Sequence, residues 1–465
     1  MRNFVLSFFL MASAVLGAEK PNVLFLFADD LTFEAIRSFG HTDIDTPNLD
    51  KLAASGKVFT HAYNMGSWSG AVCVASRTML NTGRYVWRAQ SADLKKMQSG
   101  NQMWSQRMAA QGYDTFMTGK WHVSVPADKV FKTAAHIRGG MPGTVPSAYN
   151  RPLAGQPDPW SPSDPSVGGF WEGGTHWSIV AADDAISYID GGAGKAAPFF
   201  MYVAFNAAHD PRQSPAEYVA MYPPARIQMP SNFIPEYPFK EEMGSGKTLR
   251  DEKLGPFPRT EESIKVHRGE YYALITHMDV QIGRILDSLQ KSGQADNTWI
   301  FFTADHGLAL GHHGLFGKQN MFDPSLRVPF IVNGPTVTPG KIDAPIYLQD
   351  AMATTLEIAS GSVPQDIDFK SLLPLLQGKS ADPTAQPVYG AYLAAQRAIV
   401  DQGWKLIVYP KASKLLLFHL TDDPDEVKDL AADPNHLPKL KEMFAKLMDL
   451  QRSMDDTLDI SALKP

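Results

Sequence analysis

Residues 21–30 read Pro-Asn-Val-Leu-Phe-Leu-Phe-Ala-Asp-Asp, an apolar run that stops at two adjacent carboxylates, Asp29 and Asp30. An unbroken apolar run of this length fits a parallel strand buried on both faces. The carboxylates then fall at the C-terminal end of the strand, where open α/β sheets carry their sites. The same pattern returns three times. Residues 113–117 precede Gly119-Lys120-Trp121-His122, residues 199–205 precede His209, and residues 299–303 precede Asp305-His306-Gly307. Four distant runs each hand over to side chains that bind ions or move protons, which a purely structural sheet does not need.

Between these runs, apolar positions recur at three- and four-residue spacing over 46–55, 102–111, 181–189 and 262–290, which predicts helices. Strands alternating with helices imply an α/β fold: a large mixed, mainly parallel sheet sandwiched by helices. Residues 139–174 and 211–259 are rich in Pro and Gly and read as long loops over the site edge. Beyond about Pro387 the texture changes. Short β runs at 397–400, 405–409 and 415–419 and a helix at 438–454 predict a smaller C-terminal α+β subdomain with a short antiparallel sheet. The expected division is 1–18 as a signal peptide, 19–386 as the catalytic domain and 387–465 as the subdomain.

The signal peptide is read from Arg2, an apolar run over 4–16 and the small pair Gly17-Ala18. That run is too short to span a bilayer. No cysteine follows Ala18 to carry a lipid and no later segment has the apolarity of a membrane helix, so the expectation is a secreted or periplasmic protein without a membrane anchor. A net charge of −6 argues against a nucleic-acid partner held by overall basicity. An anionic substrate would need a local basic pocket.

The chain has one cysteine, Cys73, which cannot form an internal disulfide and is left with packing or chemistry. The helical pattern opening at Ser76-Arg77 and stopping at Gly83 places it at a helix N-terminus, where anions are favoured. Cys73-Val74-Ala75-Ser76-Arg77 followed by Leu80-Asn81-Thr82-Gly83-Arg84 resembles the signature of the type I sulfatases, formylglycine-dependent members of the alkaline-phosphatase-like superfamily. The family form usually has Pro where this chain has Ala75. Leu417-Phe418-His419-Leu420 before Asp422-Asp423-Pro424 resembles the family's C-terminal segment.

The resemblance implies that a formylglycine-generating maturase oxidises Cys73 to Cα-formylglycine. It also implies metal ligation by Asp29, Asp30, Asp305 and His306 together with residue 73. Three neighbouring carboxylates repel unless a cation neutralises them, and oxygen donors suit Ca²⁺, with Mg²⁺ less well matched. Many family members have Asn at the position of His306, and His is typical of relatives that hydrolyse phosphonate monoesters. Imidazole is a softer donor and could admit Mn²⁺ or Zn²⁺. Lys120 and His122 lie two apart, so an extended backbone would point both to one face. By resemblance, Lys120 and Lys318 bind the sulfate oxygens, His122 contacts the formylglycine, His209 faces the ester oxygen and Arg77 helps hold the nucleophile. Trp160, Phe170, Trp171 and Trp177 are candidates for stacking on a sugar, and Arg138 and Arg212 for reading further anionic groups. His312 and His313 receive no role. The implied function is hydrolysis of a sulfate monoester on a carbohydrate. The alternatives are phosphonate or phosphate monoester hydrolysis on the same scaffold, or an unmatured relative that binds sulfated glycans.

Overall fold

The computed structural model describes residues 20–465 except 41, 43, 141–142, 172, 195 and 379–385. The expected signal peptide therefore lies outside the described residues. Nine strands form the main sheet, ordered Ile346–Tyr347, Lys57–Tyr63, Arg327–Asn333, Thr298–Ala304, Asn22–Ala28, Phe199–Ala204, Asp114–Lys120 and Thr133–Arg138, with Gly340–Ile342 pairing beside Lys57–Tyr63. Only Arg327–Asn333 runs antiparallel to its neighbours. The four apolar runs predicted from sequence are the four central strands, side by side and parallel. Their C-terminal ends thus share one rim.

Register divides the sheet into two faces. Phe25 pairs with Tyr202, whereas Leu24 pairs with Met201 and Met201 with Phe116. Alternation puts these two sets on opposite sides. On the Phe25 face, Trp104 sets its ring 5.0 Å from Phe25 and 4.9 Å from Phe200, and the Arg77 guanidinium lies 4.7 Å over Phe27. The helices Trp104–Ala110 and Val72–Thr82 cover that side. On the other face Tyr188, from the helix Trp177–Asp190, stacks on Phe116 at 4.3 Å. The long helix Glu261–Lys291 packs against Trp177–Asp190. Its Tyr271 hydroxyl donates to the Asp30 carbonyl at 2.7 Å and accepts the Thr32 N–H at 3.0 Å.

The helix bearing Cys73 begins at Val72, earlier than the Ser76 start expected from its pattern, and ends at Gly83, whose φ of +70° supplies the left-handed cap. The strand before His122 runs on through Lys120, so the lysine belongs to the sheet itself.

A second sheet is ordered Lys414–His419, Trp404–Tyr409, Gln396–Asp401, Val388–Tyr392 and Gly66–Ser67. Its first four strands are antiparallel as expected, and the helix Leu437–Ser453 packs on them. The fifth, Gly66–Ser67, comes from the segment just before Cys73 and pairs in parallel with Ala391 and Tyr392. Only glycine fits at 66: φ is +87°, and a Cβ there would fall 1.9 Å from the Ala391 carbonyl oxygen. Among the described residues no helix is long and apolar enough to cross a membrane.

Candidate active site

The rim of the four central strands is tied together by backbone bonds. Asp29 N–H donates to the Ala207 carbonyl at 2.8 Å, and Asp305 N–H to the Ala28 carbonyl at 3.3 Å. Asp30 N–H donates to Asp305 Oδ1 at 3.1 Å. Asp30 is left-handed, with φ of +57°, which turns the chain sharply after Asp29.

Around this rim the predicted residues converge. Lys318 Nζ lies 2.8 and 2.9 Å from the two Asp30 oxygens, 2.8 Å from His209 Nε2 and 3.4 Å from Cys73 Sγ. Lys120 Nζ pairs with Asp29 Oδ2. Arg77, wholly buried, places Nε 2.9 Å from Asp305 Oδ2 and donates through Nη1 to the Lys120 carbonyl at 2.6 Å. One guanidinium thus locks the helix bearing Cys73 to two strand ends.

At this rim, Asp29 Oδ1 and His306 Nε2 are among the buried side-chain atoms that make no hydrogen bond. The Nδ1 of His306 faces the Gly307 carbonyl at 2.9 Å, which turns Nε2 toward Asp30 Oδ1 at 3.1 Å. One donor atom each from Asp29, Asp30, Cys73 and His306 lies within 4.8 Å of the others. Orphaned polar atoms converging with two carboxylates fit a cation. Asp305 stands beside this group, its Oδ1 accepting the Asp30 and His306 N–H groups at 3.1 Å each.

The electrostatics show the same crowding. Burial, followed by Asp305, pushes the Asp29 carboxyl up to about 8. Burial works against the Asp305 charge as well, but His306 and Arg77 outweigh it and hold Asp305 below the usual carboxylate range. His306 loses to burial and gains more from Asp305 and Asp30, reaching about 9. For Cys73 burial opposes ionisation, yet Lys120, Lys318 and hydrogen bonds from His122 and His209 bring the thiol well below its ordinary value. His209, despite burial, is raised to about 10 by Asp30 and Asp210.

The expected common face of Lys120 and His122 is not what brings them together. Lys120 is in the strand, whereas His122 is left-handed, with φ of +56°, so simple alternation fails at that step. The turn nevertheless swings His122 into a pocket of about 390 Å³ with Cys73, His209 and Lys318. Arg250, Asp251 and Gln319 line the same pocket and were not anticipated. Arg250 Nη2 bonds Asp210 Oδ1 at 3.1 Å and Asp251 Oδ1 at 2.9 Å. Gln319 Nε2 bonds Asp251 Oδ2 at 2.8 Å and the Gly70 carbonyl at 3.1 Å. Asp210, with Oδ1 2.8 Å from His209 Nδ1, completes the set. Asp210 and Gln319 adjoin residues singled out from sequence, but Arg250 and Asp251 sit in a loop without periodicity.

The aromatic and arginine candidates of the long loop do not form an open sugar platform. Trp160 is buried with Ala148 and Val167, and Trp177 is buried under the Arg138 guanidinium at 4.0 Å. Trp171 leans on Trp177 at 4.3 Å, and Phe170 packs on His176 at 5.2 Å. Arg138 donates to the Gly168 carbonyl, and Arg212 is buried against His267. His312 bridges Glu34 and Asn232, and His313 stacks on Phe322 at 3.8 Å, so both serve packing.

Comparison with known proteins agrees with this geometry. A family model described as Sulfatase matches residues 21–362, and one described as N-sulphoglucosamine sulphohydrolase, C-terminal, matches residues 311–453. An N-acetylglucosamine-6-O-sulfatase of Bacteroides thetaiotaomicron is 24% identical, with 94% of this chain and 87% of that protein covered. A structure solved in complex with its substrate D-glucosamine-2-N,6-O-disulfate superposes with a TM-score of 0.72 at 24% identity, covering 94% of this chain and 99% of the other. The phosphonate monoester hydrolase of Agrobacterium radiobacter superposes at 0.71 and 21% identity, covering 93% and 96%.

Proposed function

The chain belongs to the sulfatase family, and we propose that it hydrolyses a sulfate monoester carried on a carbohydrate, with residue 73, oxidised from cysteine to Cα-formylglycine, as nucleophile. The observation that carries this reading is the position of Cys73. It sits in the first turn of a helix, with its sulfur 3.4 Å from the Lys318 ammonium and beside the orphaned polar atoms of Asp29 and His306. The likeness to an N-acetylglucosamine-6-O-sulfatase and to the complex with D-glucosamine-2-N,6-O-disulfate supports a sulfated sugar.

Asp29, Asp30, His306 and residue 73, whose donor atoms converge, would hold the cation with Asp305 beside them, and Ca²⁺ is the first choice for this carboxylate-rich set. When bound, it supplies charge neutralisation and lowers the pKa of an adjacent hydroxyl. A hydrated formylglycine supplies a geminal diol, whose second hydroxyl offers an exit from the covalent adduct that serine lacks. The surrounding side chains do the rest. Arg77 fixes Asp305 and stands as counter-charge beneath the nucleophile. Lys120 and Lys318 offset charge developing on the sulfuryl oxygens. His209, oriented by Asp210, or Lys318 beside it would donate a proton to the departing alcohol oxygen, and His122 would accept one from residue 73. We assign residues 19–386 to the catalytic domain and 387–465 to the subdomain, with export directed by residues 1–18.

His306 favours a second reading, phosphonate monoester hydrolysis, because it replaces the amide common in sulfatases. One preparation tests both. In protein purified from its native host, the tryptic peptide containing residue 73 carries the aldehyde mass, and matched aryl sulfate is hydrolysed faster than aryl phosphonate. An unmodified thiol overturns the formylglycine assignment, and the opposite rate order overturns the sulfate assignment.

A further inference from the structure

A second cavity, of about 610 Å³, opens beside the catalytic pocket and is lined by Trp68, Trp87, Leu393, Arg88 and Arg397. We propose that this groove is a glycan subsite that takes an uncharged sugar ring next to the one bearing the scissile sulfate, with the indole of Trp68 as its platform. The proposal rests on the carbohydrate-sulfate reading above.

Position is the first argument. Trp68 lines the groove, while Gly70 and Ala71 line the catalytic pocket. Two residues of chain span at most about 7 Å, so the cavities share one short wall. That wall is held in place, because the Ser67 carbonyl accepts the Leu393 N–H at 2.9 Å and the Gly70 carbonyl accepts Gln319 Nε2. The ring next to one seated in the catalytic pocket therefore has Trp68 within reach.

Chemistry is the second. Unlike Trp160 and Trp177, both groove tryptophans are only partly buried. Trp87 is braced: its Nε1 donates to the Tyr389 hydroxyl at 3.1 Å and the Arg397 guanidinium covers its ring at 4.9 Å. Trp68, half-buried and packed against the core, presents the rest of its surface to the groove, and Leu393, exposed at the tip of its hairpin, extends the apolar surface. Aromatic rings with a wet edge suit ligands that are apolar on one face and polar at the rim, as sugar rings are. The volume is that of a small-molecule site.

Charge is the third. Arg88 is paired with Asp455 and Asp368 at 2.7 Å each, and Arg397 with Asp456 at 2.6 and 2.9 Å. With three carboxylates, Asp455, Asp456 and Asp459, against two guanidiniums in its lining, the groove has no surplus cation to attract a sulfate. The paired groups still present donors and acceptors to hydroxyls.

The experiment compares matured wild type, Trp68→Ala and Trp68→Phe on a sulfated oligosaccharide and on the matching monosaccharide sulfate. The ratio of kcat/KM values, oligosaccharide over monosaccharide, falls about tenfold in Trp68→Ala and is largely kept in Trp68→Phe. An unchanged ratio in Trp68→Ala, or an equal fall on both substrates, overturns the subsite while leaving the carbohydrate reading intact. Wild-type protein that hydrolyses aryl sulfate but neither saccharide overturns both.

Discussion

Cys73 is buried among two ammonium groups and two imidazoles, so a hydroxyl in place of its sulfur changes chemistry more than packing. On the proposed mechanism, Cys73→Ser replaces the formylglycine diol by a single hydroxyl and removes the exit from a covalent adduct. Turnover of an aryl sulfate is expected to fall by about 10⁴-fold or more with an unchanged circular dichroism spectrum; retention of most of the activity would refute the mechanism. The carboxylates make a separate prediction. Asp29 and Asp305 share a dry rim, and burial with mutual repulsion has pushed Asp29 up to about 8. A chelator should therefore lower both activity and Tm, and Ca²⁺ should restore both, with stabilisation of about 2.7 kcal/mol at a hundredfold excess over Kd. The ligand candidates were legible because each follows an apolar run. Arg250 and Asp251 were not, because their place depends on a long loop folding back over His209. His122 reaches the site through a left-handed turn rather than through the two-residue alternation expected of an extended backbone.

At the level of elements, the central strands were readable since burial on both faces keeps their runs mostly apolar. Their lateral order was not, because parallel neighbours are set by crossovers that leave no mark on the strands themselves. Gly66–Ser67 was missed for a related reason: a two-residue strand has no period, and its partner lies in another part of the chain. The joint between the helices Pro47–Ser55 and Glu261–Lys291 carries a pH prediction. Asp279, buried on the long helix, accepts N–H groups from Asn48 at 3.1 Å and Leu49 at 2.7 Å at the start of the shorter one. Burial outweighs these bonds and lifts its carboxyl to about 6. A carboxyl raised in the folded state binds its proton more tightly there than when unfolded. Its contribution is thus present below pH ~4 and lost as pH rises to ~6, on the order of 3 kcal/mol. Asp279→Asn keeps one acceptor for Leu49 and carries no charge. The wild-type-minus-variant difference in unfolding free energy, measured in urea from pH 4 to 7, should decline across that window. A flat difference would contradict the assignment.

Across the whole molecule, the two sheets are joined by a buried charge cluster as well as by Gly66–Ser67. Lys405, on the second sheet, reaches Asp323 and lies 2.7 Å from Glu426 Oε1, while Glu426 Oε2 accepts the Asp323 N–H at 2.7 Å. Asp323 opens the short helix Asp323–Leu326, and that turn accepts the N–H groups of Gly307 and Leu308, each at 2.8 Å. The second sheet therefore holds the loop that follows Asp305 and His306, which gives a peripheral lysine a route to the metal rim. Lys405→Met leaves Asp323 with Arg327 at 3.3 Å and leaves Glu426 without its ammonium partner. Breaking such a buried cluster from one side costs about 3–5 kcal/mol, much more than the intact cluster contributes over an apolar replacement. Glu426, already lifted by burial to about 7, rises further without Lys405 and is neutral at lower pH. The deficit of Lys405→Met in denaturant unfolding should accordingly narrow as pH falls from 8 to 6. Adding Glu426→Gln should recover part of it at pH 8. If the cluster also holds the His306 loop, the single variant needs more Ca²⁺ for half-maximal activity and the double variant needs less than the single; equal requirements in all three proteins would separate the cluster from the site.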